Sequence, residues 1–133
     1  MRRRSLLLLL LSVMLLSGSA LAQKWVLVGH AKDDINGTYA LYVDTDRAVK
    51  SGDHLILWEK EVFADPLETA KVHLIREEIQ FSTPRQERVI ESYQYDDEGE
   101  TDLISHNTKV LSWYSVDDAL ENKAIDLARK YAK

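Results

Sequence analysis

Between Lys71 and Phe81 the side chains alternate in character. Ile75, Ile79 and Phe81 fall on one parity, and Arg76, Glu78 and Gln80 on the other. A period of two is that of a strand in a sheet with one wet face. Four more runs, 24–29, 38–44, 54–63 and 88–95, are short and rich in Val, Leu, Ile, Tyr and Trp. Turn-forming residues separate them: Asp33, Asp34, Asn36 and Gly37, then Ser51-Gly52, Ala64-Asp65-Pro66 and Ser82-Thr83-Pro84. Runs 101–104 and 109–115 complete the series, and Arg47-Ala48-Val49 reads as a single helical turn in the connection before Ser51. Parallel neighbours would need long crossovers, so the pattern predicts an antiparallel meander of about six strands.

After Ser115 the period changes. Leu120, Ala124, Leu127, Ala128 and Tyr131 recur at helical spacing and make one apolar stripe. Asp117 or Asp118 can cap the start, with Glu121 placed as the partner of a capping box. Arg129, Lys130 and Lys133 suit the negative end of the helix dipole. The stripe must be buried, and the sheet is the only sizeable apolar surface available. The fold class is therefore α+β, a sheet with a C-terminal helix packed on one face.

The first segment has another kind of pattern. Arg2, Arg3 and Arg4 precede an apolar run from Leu6 to Leu16 broken only by Ser12, and Ala20-Leu21-Ala22 follows. Positive, apolar and small-residue regions in that order make a secretory signal peptide. Its apolar run is about half of the roughly 20 residues a spanning helix needs. Residues 1–22 are thus expected to be cleaved, leaving 23–133 as a single exported domain with no stable membrane anchor. No Cys stands at the cleavage point to carry a lipid.

Without the three arginines of the signal, 14 basic side chains face 22 acidic ones, a charge of −8. An acidic surface speaks against nucleic acid or anionic lipid as a partner. The chain has no Cys, which removes disulfides, thiol catalysis and Cys-based zinc sites.

The search for chemistry returns little. His30, His54, His73 and His106 are not at metal-ligand spacing, and no nucleophile elbow or phosphate loop occurs. The run from Asp96 to Asp102 lacks the ordered spacing of a calcium loop and reads as a solvated hairpin turn. Glu59, Glu61, Glu77, Glu78, Glu87 and Glu91 could pair across strands, but wet sheet faces carry such residues routinely. No catalytic residue, cofactor or metal site is expected, and the chain is read as a non-enzyme. Trp58 shares parity with Ile56 and Val62 and is expected in the core. Tyr42, Tyr93 and Tyr95 are the candidate ligand contacts, an aromatic patch on a sheet face.

Several of these residues also form an ordered series. Trp25-Val26-Leu27-Val28 follows the signal, and Gly37-Thr38-Tyr39 leads into Tyr42-Val43-Asp44. Next come the 45–52 connection, Trp58, Tyr93, and Trp113-Tyr114-Ser115-Val116 before the helix. In order and spacing this series resembles the surface-adhesin protein E-like domain of exported bacterial proteins, over residues 24 to 133. The resemblance implies a small antiparallel sheet with a docked C-terminal helix and a non-enzymatic role. The family's named member is an outer-membrane adhesin that binds host matrix proteins and can dimerise, so a homodimer is compatible. This chain lacks the lipid-bearing Cys and the cysteines that tie down the helix in relatives. A periplasmic or secreted protein fits better than a surface-attached one. The expectation is an exported binding domain for a protein or small ligand. The alternative is a periplasmic structural or stress-related envelope protein with no adhesive role.

Overall fold

The computed structural model describes residues 23–66 and 70–133. The expected signal peptide and its cleavage site lie outside the described residues. Among the described residues, eight strands form one antiparallel sheet: β1 (Trp25–Asp33), β2 (Gly37–Asp44), β3 (Val49–Ser51), β4 (His54–Phe63), β5 (Val72–Gln80), β6 (Gln86–Tyr95), β7 (Leu103–Asn107) and β8 (Tyr114–Ser115). A single helix among the described residues, α1 (Ala119–Tyr131), follows. Six strands lie in the order β1-β2-β4-β5-β6-β7, with β3 beside β4 and β8 beside β6. This is the expected meander with a C-terminal helix, carrying two extra short strands. No helix among the described residues is long and apolar enough to cross a membrane.

Local chemistry explains the turns. Asp33 accepts hydrogen bonds from the backbone of Ile35 at 2.7 Å and Asn36 at 3.2 Å, and Gly37 takes a φ of 83° that side chains resist. The 45–52 connection departs from expectation. No helical turn forms at Arg47-Ala48-Val49; Asp44 instead accepts from the backbone of Asp46 and Arg47, and Val49 begins β3. A carboxylate that caps these amides holds them in an Asx-type turn and leaves Val49 free to pair with β4.

The helix crosses β1, β2 and β4. Ala124, Ile125 and Ala128 are its buried residues, and they meet Leu41, Val43, Leu55, Leu57 and Ile79 of the sheet. The expected stripe is therefore turned slightly. Ile125 replaces Tyr131, which is 50% exposed, while Leu120 and Leu127 only border the core. The approach is close: a methyl at Gly29 would come within 2.8 Å of Leu120 Cδ1. No disulfide is needed to hold α1. The Lys133 amide donates to Ala48, Lys133 accepts from Lys50, and Arg85 reaches Asn122 at 2.9 Å and Asp126 at 3.1 Å.

Asp118 is the N-cap, accepting from the Leu120 amide at 3.1 Å. Replacing Asp118 with Ala should cost about 1 kcal/mol in a urea titration. A change too small to resolve would mean that tertiary contacts, and not the cap, start the helix. Glu121 does not complete the expected capping box. It turns beneath the helix toward Glu59 and Glu77 of the sheet.

Candidate functional site

Register gives the sheet two unlike faces. On the face opposite α1, one row of paired residues runs Leu27, Tyr42, Lys60, Leu74, Tyr93, His106 across six strands. The adjacent row is His30, Ala40, Val62, Val72, Tyr95, Leu103. All three candidate contacts, Tyr42, Tyr93 and Tyr95, therefore share this face, each half-buried. Tyr93 stacks on Tyr95 with centroids 6.3 Å apart and on His106 at 4.0 Å. Tyr42 lies three strand spacings from Tyr93, about 14 Å.

Cations bridge that gap. Lys60 Nζ sits 4.7 Å from the Trp25 ring and 5.6 Å from Tyr42, and the Arg47 guanidinium lies 4.9 Å from Trp58. Trp58 in turn lies 6.1 Å from Tyr93. The expectation that Trp58 is core is thus overturned. Leu55, Leu57, Glu59 and Phe63 take the buried parity of β4, and Trp58 faces away from the helix. Both parities of β4 are apolar enough to be core, and the helix can cover only one. What forms on the other face is a platform of aromatic rings capped by cations.

The helix side holds a feature that strand periodicity places elsewhere. Glu59, Glu77 and Glu87, expected on wet faces, are 2%, 4% and 4% exposed. Glu59 and Glu77 come from neighbouring strands β4 and β5, and Glu121 comes down from the first turn of α1. One carboxylate oxygen of each lies within 4.8 Å of the other two. Glu87 stands next to them on β6, paired with Tyr114 of β8. A bulge in β6 opposite Arg76 and Glu77 places Val89 across from Glu77 and Glu87 across from Ile79, on the helix side.

Burial pushes the Glu59 and Glu77 carboxyls well above the usual carboxylate range, and the neighbouring carboxylates push them further. Burial raises Glu121 to about 7. Desolvation raises the Tyr114 hydroxyl too, with the charges of Glu77 and Glu87 adding to it. Glu59 Oε1, Glu77 Oε2, Glu87 Oε2 and Glu121 Oε1 find no hydrogen-bond donor, and the contacts among the four side chains run carboxyl to carboxyl. The cluster is not sealed. A cavity of about 330 Å³ opens at Glu87, Tyr114, Asp117, Asp118 and Glu121.

The other candidate chemistries stay apart. His54 bonds Glu78 at 3.1 Å, His73 packs against Phe63, and His106 stacks on Tyr93. In the acidic turn, Asp97 accepts from the Thr101 hydroxyl and from the amides of Thr101 and Asp102, which closes the β6–β7 hairpin. The carboxylate cluster has one signal in the sequence: Glu59 and Glu77 each interrupt an apolar parity, beside Leu55 and Leu57 and beside Ile79. No family model, curated protein or solved structure matches this chain.

Proposed function

We propose that the chain is a non-catalytic binding domain exported to the bacterial cell envelope, similar to surface adhesin E, that takes a protein partner on the helix-free face of its sheet. The observation that carries this reading is the shared face of Tyr42, Trp58, Tyr93 and Tyr95, interleaved with Arg47 and Lys60. Aromatic side chains bury large area at protein interfaces with little loss of rotamer freedom, and arginine adds charge-assisted hydrogen bonds and stacking, so both are frequent among the residues that carry binding energy. Its rows run across six strands, and among the described residues no helix covers them; Val72 and Leu74 within the rows are buried, so a protein partner would meet the rings and the cations. The export signal and the order of the aromatic motifs support the envelope and the adhesin-like class. A structural envelope protein with no adhesive role is the competing reading.

The test is site-specific photo-crosslinking in intact cells, with the photoreactive residue at Tyr42 or, as a control, at Lys123 on the exposed side of the helix. A discrete crosslinked species from position 42, absent from position 123 and lost with a Tyr93→Ala change, is the expected result. Equal yield from both positions, or none from position 42, would sink the assignment of this face. A species with twice the mass of the chain would identify the partner as a second copy.

A further inference from the structure

We infer that Glu59, Glu77 and Glu121 form a binding site for one calcium ion, reached through the cavity at Glu87 and Tyr114. This site is separate from the aromatic face, and it does not depend on what that face binds.

The geometry suits a hard cation. Three oxygens lie within 4.8 Å of one another. An ion held about 2.3 to 2.6 Å from each ligand accepts oxygen separations of up to about 5 Å. The donors are all carboxylate oxygens, with no sulfur or imidazole among them, which selects against zinc and copper. They stand on two strands and a helix, so they enclose a point from several sides. Calcium tolerates such an irregular set and completes its shell with water, whereas magnesium demands a near-ideal octahedron. The cavity at the mouth, about 330 Å³, has room for those waters.

A cluster of acids alone would not establish a site. The second observation is that Glu59 and Glu77, 2% and 4% exposed, each bring an oxygen with no hydrogen-bond partner. Buried polar atoms are nearly always satisfied, and a lone carboxylate oxygen is costly to strip of water. Glu87, 4% exposed, brings a third such oxygen, and the partly buried Glu121 a fourth. Four such oxygens in one place ask for a shared electropositive guest. Protons shared between the carboxyls are the competing guest, and the experiment separates the two. The position of Glu121 then has a cause: it leaves the capping-box position because the ion needs a ligand from the helix side.

The test is thermal unfolding of the purified chain at neutral pH in EDTA and then in calcium chloride, with equilibrium dialysis of radioactive calcium alongside. For a dissociation constant near 10⁻⁴ to 10⁻³ M, about 10 mM calcium should raise Tm on the order of 5 to 10 °C. Dialysis should find one ion per chain. Glu77→Gln should abolish the shift, and Glu121→Gln, at the accessible mouth, should weaken binding at least about tenfold; Asp97→Asn in the acidic turn should change neither. If either glutamine variant fails to fold, the other and the dialysis stoichiometry of the unaltered chain still decide. No calcium retained and no Tm shift would overturn the inference in favour of shared protons. A shift that survives in Glu121→Gln but disappears in Asp97→Asn would overturn it in favour of the hairpin turn.

Discussion

In a chelating buffer, the protein should lose on the order of 3 kcal/mol of unfolding stability as pH rises from about 4.5 to about 8. The sign follows from the protons each state holds. The carboxyls of Glu59, Glu77 and Glu121 are raised in the folded chain, Glu121 from 4.5 to about 7. Between the unfolded and folded values the native state holds protons that the unfolded chain has released. Stability is therefore complete below the unfolded value and falls as pH climbs through the folded one. A tenfold difference in proton affinity between the two states is worth about 1.4 kcal/mol, so Glu121 by itself supplies about 3 kcal/mol, and the more deeply buried Glu59 and Glu77 make it a lower bound. Replacing Glu77 with Gln removes one of the charges and keeps the shape. The variant should be more stable than the parent at pH 7.5, little changed at pH 4.5, and flatter between. Urea titrations at the two pH values in EDTA measure this. Stability that instead rises across the window would mean the carboxylates are stabilised in their ionised form.

Asp44→Ala should cost about 3 kcal/mol, and its cause is different. Asp44 is fully buried at the end of β2. Its carboxylate accepts from the amides of Asp46 at 2.9 Å and Arg47 at 3.3 Å, and pairs with the Arg47 side chain. Alanine would leave those amides without an acceptor and free the guanidinium that lies over Trp25 and Trp58. Arg47 is one-third exposed, so part of the ion-pair energy is already screened, which keeps the expected cost near the low end for a broken buried pair. Asp44→Asn should cost less, because the amide oxygen can still accept from the backbone. Urea unfolding followed by tryptophan fluorescence reports both the loss and the change around the two rings. A cost under about 0.5 kcal/mol for alanine would mean that water replaces the carboxylate without penalty.

The aromatic face is legible in the sequence because Tyr93 and Tyr95 are two apart on one strand, and strand geometry alone puts them on one side. That Tyr42 joins them depends on the register between β2, β4, β5 and β6, a property of pairing between strands and not of parity along one. Parity misplaces Trp58 because β4 is apolar on both sides, with Leu55 and Leu57 against Ile56 and Trp58. Periodicity cannot say which of two apolar faces a helix will cover. The glutamates mislead for a related reason. A charged side chain on a strand is usually wet, and only the arrival of α1 over β4, with Glu121 on its first turn, brings the four together. The last strands show the same limit. The 109–115 run reads as one strand, yet only Tyr114–Ser115 forms strand pairs with β6, with a single further bond from the Leu111 amide to Val89, while β7 at 103–107 pairs with the other end of β6.

By itself, then, the sequence determined the elements and their order: strand periods, turn residues and a terminal amphipathic stripe are local properties, and short connections leave antiparallel pairing as the one workable topology. It also determined where the aromatic candidates lie along their strands. Only the tertiary structure decided which face of the sheet is dry, that Trp58 belongs to the open face, and that Glu59, Glu77, Glu87 and Glu121 share one buried space. Those outcomes depend on where one helix lands. That is set by the close approach at Gly29, the ties from Arg85 and Lys133, and the fit of Ile125 among Leu41, Leu55 and Leu57, contacts between residues far apart in the chain that no local pattern encodes.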